Sequence, residues 1–264
     1  MLRRLFFGRK KNSPALNEPA VGAGPQKSGR DIRAQNDKPL DQHTLRVFGE
    51  MLDDLNGQAR RMGDHVIRMV EGCIPLFLNH DVMAAKALIQ ADLQADKQKE
   101  AIIARTLEVL ALHQPVASDL RLVLAVEHVA SDLERAADHA KNIAKRTLTL
   151  PGGKPVDPAL RDLVTSLHGS VQKMLVDAMR AFNAGDASLA EEVRRNDQVP
   201  DAVYDDLFHA AIARIQADSS DVAVDIQTLF VGKSLERIGD HATNIAEEAS
   251  FRSRGDLPSA TRRP

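Results

Sequence analysis

The feature that most restricts the fold is a string that occurs twice. LERAADHAKNIAK, beginning at Leu133, returns as LERIGDHATNIAE at Leu235, an offset of 102 residues. Upstream the offset is 105: FLNHD from Phe77 to Asp81 answers FNAGD from Phe182 to Asp186, and Asp92 with Asp96 answers Asp197 with Asp201. Two registers separated by a small length change mark a tandem duplication, so the chain has to fold as two copies of one unit.

Each unit reads as three helices. From Leu40 to Asn79, Leu45, Phe48, Leu52, Leu55, Met62, Val66, Met69 and Val70 recur at steps of three and four, the period of an amphipathic helix, with a kink expected at Pro75. A second helix is expected from Val82 to His113, stopping before Gln114-Pro115. A third is expected from Ser118 or Asp119, either of which can cap it, to near Leu148. PGGKPVDP, from Pro151 to Pro158, breaks the pattern, and Asp157 with Pro158 suits the cap and first residue of the next helix. The expected organisation is an arm over residues 1–38, a repeat over 39–150, a linker over 151–157, a second repeat over 158–252 and a tail over 253–264. The fold class is all-α: two tandem three-helix bundles related by an internal pseudo-twofold.

Composition agrees. Aromatic residues are 3% of the chain, with no Trp and one Tyr, which favours helix over strand. A net charge of -2 supplies no general basic field for nucleic acid. The single cysteine, Cys73, allows no internal disulfide, and beside Ile74 and Leu76 it reads as a core residue. No apolar run is long enough to span a bilayer. Arg3, Arg4, Arg9, Lys10 and Lys11 flank Leu5, Phe6 and Phe7 without the cleavage pattern of a secretory signal. The expected location is the cytoplasm. Two readings of the arm stand: a flexible extension, or an anchor making peripheral contact with a membrane or partner.

The candidate chemistry is carboxylate. Glu134 and Asp138 lie four apart on one helix face with Asn142 one turn on, and Glu236, Asp240 and Asn244 repeat the arrangement. Asp92 with Asp96 and Asp197 with Asp201 form pairs of the same spacing. Such pairs repel unless a cation neutralises them. If the faces of neighbouring helices converge, each repeat offers about four carboxylates and an amide oxygen to a hard or borderline metal ion. Arg135 and Arg237 could neutralise the same groups without metal. Pro200 puts the geometry of Asp197 and Asp201 in question, because it removes a backbone hydrogen bond inside the expected second helix. His139 and His241, the duplicated histidines, lie round the helix from the glutamates and read as supporting or core groups. Gly239 suits close helix approach, and Ala137 in its counterpart position limits the requirement to a small residue. The Glu-x-x-His pairs of di-iron oxidases are missing from these rows, as are the motifs of serine, cysteine and zinc hydrolases, so no enzymatic role is expected.

The two LER strings, QPVASDLR from Gln114 to Arg121 and the spaced acidic pairs resemble the PhoU family over residues 40–252. The resemblance implies two three-helix bundles carrying multinuclear iron or zinc clusters. Their ligands would be Asp92, Asp96, Glu134 and Asp138 in one repeat and Asp197, Asp201, Glu236 and Asp240 in the other, with Asn142 and Asn244 as accessory groups. It also implies a regulator of phosphate uptake and phosphate-starvation signalling that joins the ATPase of a phosphate ABC transporter to a phosphate-sensing histidine kinase and acts negatively when phosphate is ample; the long exposed helices make a symmetric homodimer the expected assembly. The alternatives are a metal-free helical adaptor and, less favoured, a carboxylate-bridged metalloenzyme.

Overall fold

The computed structural model describes residues 38–151, 154–217 and 220–255. The basic group around Leu5-Phe6-Phe7, most of the arm and residues 256–264 of the tail therefore lie outside the described residues. The chain divides after His43: the described part of the first unit, 38–43, is helical, and everything discussed below belongs to the second, which starts at Thr44.

Seven helices are described, and no strand among those residues: α1 Lys38–Leu78, α2 Val82–His113, α3 Ala117–Thr147, α4 Pro158–Ala184, α5 Ala187–Arg195, α6 Gln198–Ala217 and α7 Val222–Arg254. In the first repeat α1, α2 and α3 are single helices. Pro75 falls in the last turn of α1, where the missing N–H marks the approach of the helix end. The start of α3 differs from expectation. Val116 is its cap and offers no side-chain acceptor, while Ser118 and Asp119 sit inside the first turn. Pro115 and two non-glycine residues with positive φ, Gln114 at 46° and Ala117 at 49°, turn the chain sharply there, and the cap falls two or three residues before the side chains that could have served.

The duplicated FLNHD and FNAGD segments have a common physical content. Phe77 and Phe182 are buried at the ends of α1 and α4, and His80 and Gly185 adopt left-handed backbone at φ 52° and 64°. The N–H groups of Asp81 and Asp186 reach back to the carbonyls of Leu76 and Ala181. Both aspartates then cap the following helix: Asp81 accepts from Met83 and Ala84, and Asp186 from Ser188 and Leu189. Replacing Asp186 with alanine is expected to cost about 1 kcal/mol in chemical denaturation, and Asp81→Ala about the same, since the same two donors are orphaned in each.

The repeats meet along α3 and α7, which run antiparallel. His139 and His241 occupy equivalent positions in the duplication, and their rings stack on each other 5.7 Å apart at 28°. A residue meets its own copy only where a twofold axis passes, so this pair marks the pseudo-twofold. On either side the partners interchange. His128 Nδ1 lies 2.9 Å from Glu248 Oε1 at one end of the interface. At the other, the guanidinium of Arg146, equivalent to Glu248, lies 4.2 Å over the ring of Phe230, equivalent to His128. Small buried residues recur along both helices, among them Ala136, Ala137 and Ala140 on α3 and Gly239 and Ala242 on α7. At Gly239 an added Cβ would meet Val171 and Pro200 at 3.6 and 3.7 Å, ordinary contact, in keeping with Ala137 in the other copy. Gly232 is the tighter position, because a Cβ there would run into Leu207.

Candidate acidic faces

The two repeats diverge at their second helix. Residues 82–113 form one helix, whereas the corresponding stretch of the second repeat is split between α5 and α6 at Asn196 and Asp197. The cause is Pro200, which replaces Ala95: it cannot donate to the carbonyl of Asn196, which accepts instead from Val199 at 3.1 Å. Pro200 therefore does not sit inside a continuous second helix, as the sequence suggested it would. It stands in the first turn of a new one, where its missing N–H costs nothing. Asp197 consequently lies off the helix, and its carboxylate accepts from Thr243 Oγ1 at 2.8 Å.

In the first repeat α2 and α3 bring Asp92, Asp96, Glu134 and Asp138 onto one face. Asp92 is buried at 2% exposure, and one of its oxygens has no hydrogen-bond partner. Lys141 bridges the helices, its Nζ 2.5 Å from Asp92 and 2.6 Å from Asp138. Lys99 bonds Glu134 at 3.1 Å, while Arg135 stays 3.7 Å from the same carboxylate. Partial burial, joined by the charges of Asp92, Glu134 and Asp138, holds the Asp96 carboxyl above the usual range despite Lys141. Burial pushes Asp138 the same way, but the hydrogen bond and charge of Lys141 outweigh it and bring the group below. Asn142 donates weakly to Asp138 at 3.4 Å.

The second repeat has the same composition in a looser form. Partial burial and the charges of Asp197, Glu236 and Asp240 raise the Asp201 carboxyl, against the opposing pull of Lys233. Lys233 pairs with Glu236 at 2.7 Å, and Arg237 pairs with Asp240 at 2.9 Å. Asn244 turns away from this face and donates to Asp132 Oδ1 at 2.9 Å, beside His241 Nδ1 at 2.8 Å. His139 is held below its usual range by burial first and by His241 second. The carboxylates of each repeat are near enough to influence one another, and Arg237 neutralises Asp240 as the sequence suggested, but the other main neutralising groups were not legible as such. These are Lys99, Lys141 and Lys233 rather than Arg135. Lys141 was legible as a residue one turn from Asp138; its reach to Asp92 was not. Cys73 is a core residue: burial pushes its thiol up, and Sγ donates to the carbonyl of Val70 at 3.1 Å.

The donor chemistry of both faces fits a cation. Every candidate ligand is oxygen, burial and then the neighbouring carboxylate charges raise Asp96 and Asp201, and Asp92 keeps a buried oxygen without a partner. Among the described residues no three His, Cys, Asp or Glu side chains converge on a single point, and in the first repeat the Lys141 ammonium stands between Asp92 and Asp138. No described helix is long and apolar enough to cross a membrane.

Comparison with known proteins places these features in context. The model of the PhoU domain matches twice, over residues 59–147 and 164–249. A phosphate-specific transport system accessory protein PhoU homolog of Caulobacter vibrioides is 34% identical over 217 residues, covering 82% of this chain and 94% of the relative. A protein of the same description from Rhizobium meliloti is 31% identical over 224 residues, covering 83% and 92%. The crystal structure of PhoU from Pseudomonas aeruginosa superposes with a TM-score of 0.76 at 31% identity, covering 79% of this chain and 100% of that one. The phosphate transport system regulatory protein PhoU from Streptococcus pneumoniae gives 0.74 at 27% identity, covering 80% and 98%.

Proposed function

This chain belongs to the PhoU family, and from that premise we propose that it is an accessory protein regulating phosphate-specific transport. The observation that carries the reading is the double match, which spans both repeats and includes both acidic faces. In finer detail, the protein joins the ATPase of a phosphate ABC transporter to a phosphate-sensing histidine kinase and restrains the kinase when phosphate is ample. A rigid two-repeat scaffold suits that role: two similar but unequal faces, fixed by the α3–α7 contact, can engage two partners or two states of one partner. A partner that binds one state of a face more tightly shifts its population by that difference in affinity and by no more.

The acidic faces are proposed to hold iron or zinc ions, ligated by Asp92, Asp96, Glu134 and Asp138 in one repeat and by Asp197, Asp201, Glu236 and Asp240 in the other. A bound cation supplies positive charge between carboxylates that otherwise repel. The chain's own part is to release Lys141 and Lys233 from those carboxylates, so metal and lysine compete, and cation occupancy changes the charge that each face shows to a partner.

One experiment addresses both levels. The wild type and the Glu134→Ala/Asp138→Ala/Glu236→Ala/Asp240→Ala variant are purified without chelator or affinity metal, and metal content is measured alongside capture of the transporter ATPase and the kinase. The expected result is iron or zinc in the wild type, its loss from the folded variant and at least tenfold weaker capture of one partner. Metal-free wild type with unchanged capture by the variant would remove the acidic faces from both roles.

A further inference from the structure

The break between α5 and α6 leaves a cavity of about 210 Å³ against α4, with Ser170, Met174, Asp177, Val193, Asn196 and Val199 in its lining beside the charged Lys173 and Glu192. Pseudo-symmetry shows what the first repeat does with the same place. Ser170 corresponds to His65 and Asn196 to Ala91 at the offset of 105. His65 fills its position: the imidazole is buried at 8% exposure, and Nε2–H donates to the carbonyl of Ala91 at 2.9 Å. Ser170 has no ring to offer, and its hydroxyl turns back onto its own helix, donating to the carbonyl of Leu167 at 2.8 Å. Gly72 is replaced by Asp177, whose carboxylate is 8% exposed and held by Lys173 at 2.6 Å and Arg180 at 3.1 Å. The second repeat has thus lost an imidazole at Ser170 and gained a buried carboxylate two turns further along α4, at Asp177.

We propose that this cavity binds a small planar nitrogen heterocycle, of single-ring or fused-ring size, in the place that the His65 imidazole occupies in the other repeat. The volume is sufficient, since apolar cavities of about 150 Å³ already take up benzene. Met174, Val193 and Val199 supply apolar walls for the ring faces. Asn196 and the Asp177 carboxylate lie at its edges, the latter already paired with Lys173 and Arg180, so a ring N–H has to share an oxygen with those cations, which a hydrocarbon cannot do. Asn196 is both a wall of the cavity and the residue preceding Asp197, so an occupant fixes the break that carries one acidic side chain of the second face. The site needs neither metal nor partner, and it stands or falls apart from the regulatory reading.

The test titrates benzimidazole onto the full chain purified without imidazole, read by ligand-observed NMR and thermal unfolding. Saturable binding of one molecule per chain is expected, with a dissociation constant of about 1 mM or tighter, together with a rise in Tm. Ser170→His restores the plug of the first repeat and Val199→Phe closes the exposed mouth; each is expected to weaken binding at least tenfold, so a folding failure of one leaves the other to decide. His65→Ser opens the equivalent space and is expected to add a second binding event. No saturable binding to the wild type, or equal binding to the folded plugged variants, overturns the proposal.

Discussion

Replacing Arg214 with methionine is expected to cost about 3 kcal/mol at neutral pH, far more than loss of a partly exposed arginine usually does. The reason is Asp225, which is 1% exposed and has no well-formed hydrogen bond at either carboxylate oxygen. Its electrostatic partner is Arg214, with Nε 3.5 Å from Oδ2, while the other arm of the guanidinium bonds Asp157 at 2.6 Å. Without Arg214 the carboxylate must stay charged in the interior or take up a proton. Protonating a group with a reference pKa of 3.8 sets the upper bound: about 4 kcal/mol at pH 7 and under about 2 kcal/mol at pH 5.

The direction with pH follows. Burial raises the Asp225 carboxyl even with the arginine in place, and removing the arginine raises it further. A carboxyl whose folded pKa lies above its unfolded one favours the folded state at low pH and loses that contribution as pH rises through the folded value. The gap between wild type and Arg214→Met should therefore narrow from pH 7 to pH 5. The duplication supplies the control. The equivalent of Asp225 is Val123, fully buried and apolar. Adding Asp225→Val to Arg214→Met should recover the variant to within about 1 kcal/mol of wild type, because a buried ion pair gives up little to a well-packed apolar replacement. Urea denaturation at both pH values measures this, and a pH-independent deficit, or no recovery in the double variant, would assign the loss to packing.

Much of this arrangement was legible because the chain says most things twice. Val82 and His113 bound α2 as read, since Asp81 caps one end and Gln114-Pro115 stops the other. The two histidines were legible as a duplicated pair but not as a contact, because only the packing shows that they sit on the twofold while their neighbours interchange partners. What else escaped is what differs between the copies. Pro200 signalled trouble, but only packing decides whether a proline kinks a helix or starts a new one. The pairing of Lys141 with Asp92 spans 49 residues, and that of His128 with Glu248 spans 120. No local period records such contacts. The cavity beside Ser170 was unreadable for a related reason, since it takes the structure of the first repeat to reveal what the second lacks.

The other large effect is expected at the two phenylalanines that close α1 and α4. Phe77→Ala and Phe182→Ala should each cost about 3–5 kcal/mol, because both rings are buried, at 1% and 0% exposure, and truncation leaves a cavity as well as lost transfer energy. Against a usual total of about 5–15 kcal/mol, either change brings the protein near its limit. The two costs should not be equal. Phe182 also carries the guanidinium of Arg252, 5.2 Å from its ring centroid, and its carbonyl accepts from the same group at 2.8 Å. Arg252 bonds Asn56 at 3.1 Å as well, so the site ties α1, α4 and α7 together. Phe182→Ala should therefore exceed Phe77→Ala by about 1 kcal/mol, and Arg252→Met should shrink that difference. Because α3 and α7 join the repeats through a buried contact, both variants should unfold in one transition shared by both halves. Two separate transitions, with only the mutated repeat shifted, would show that the halves are coupled more weakly than that contact implies.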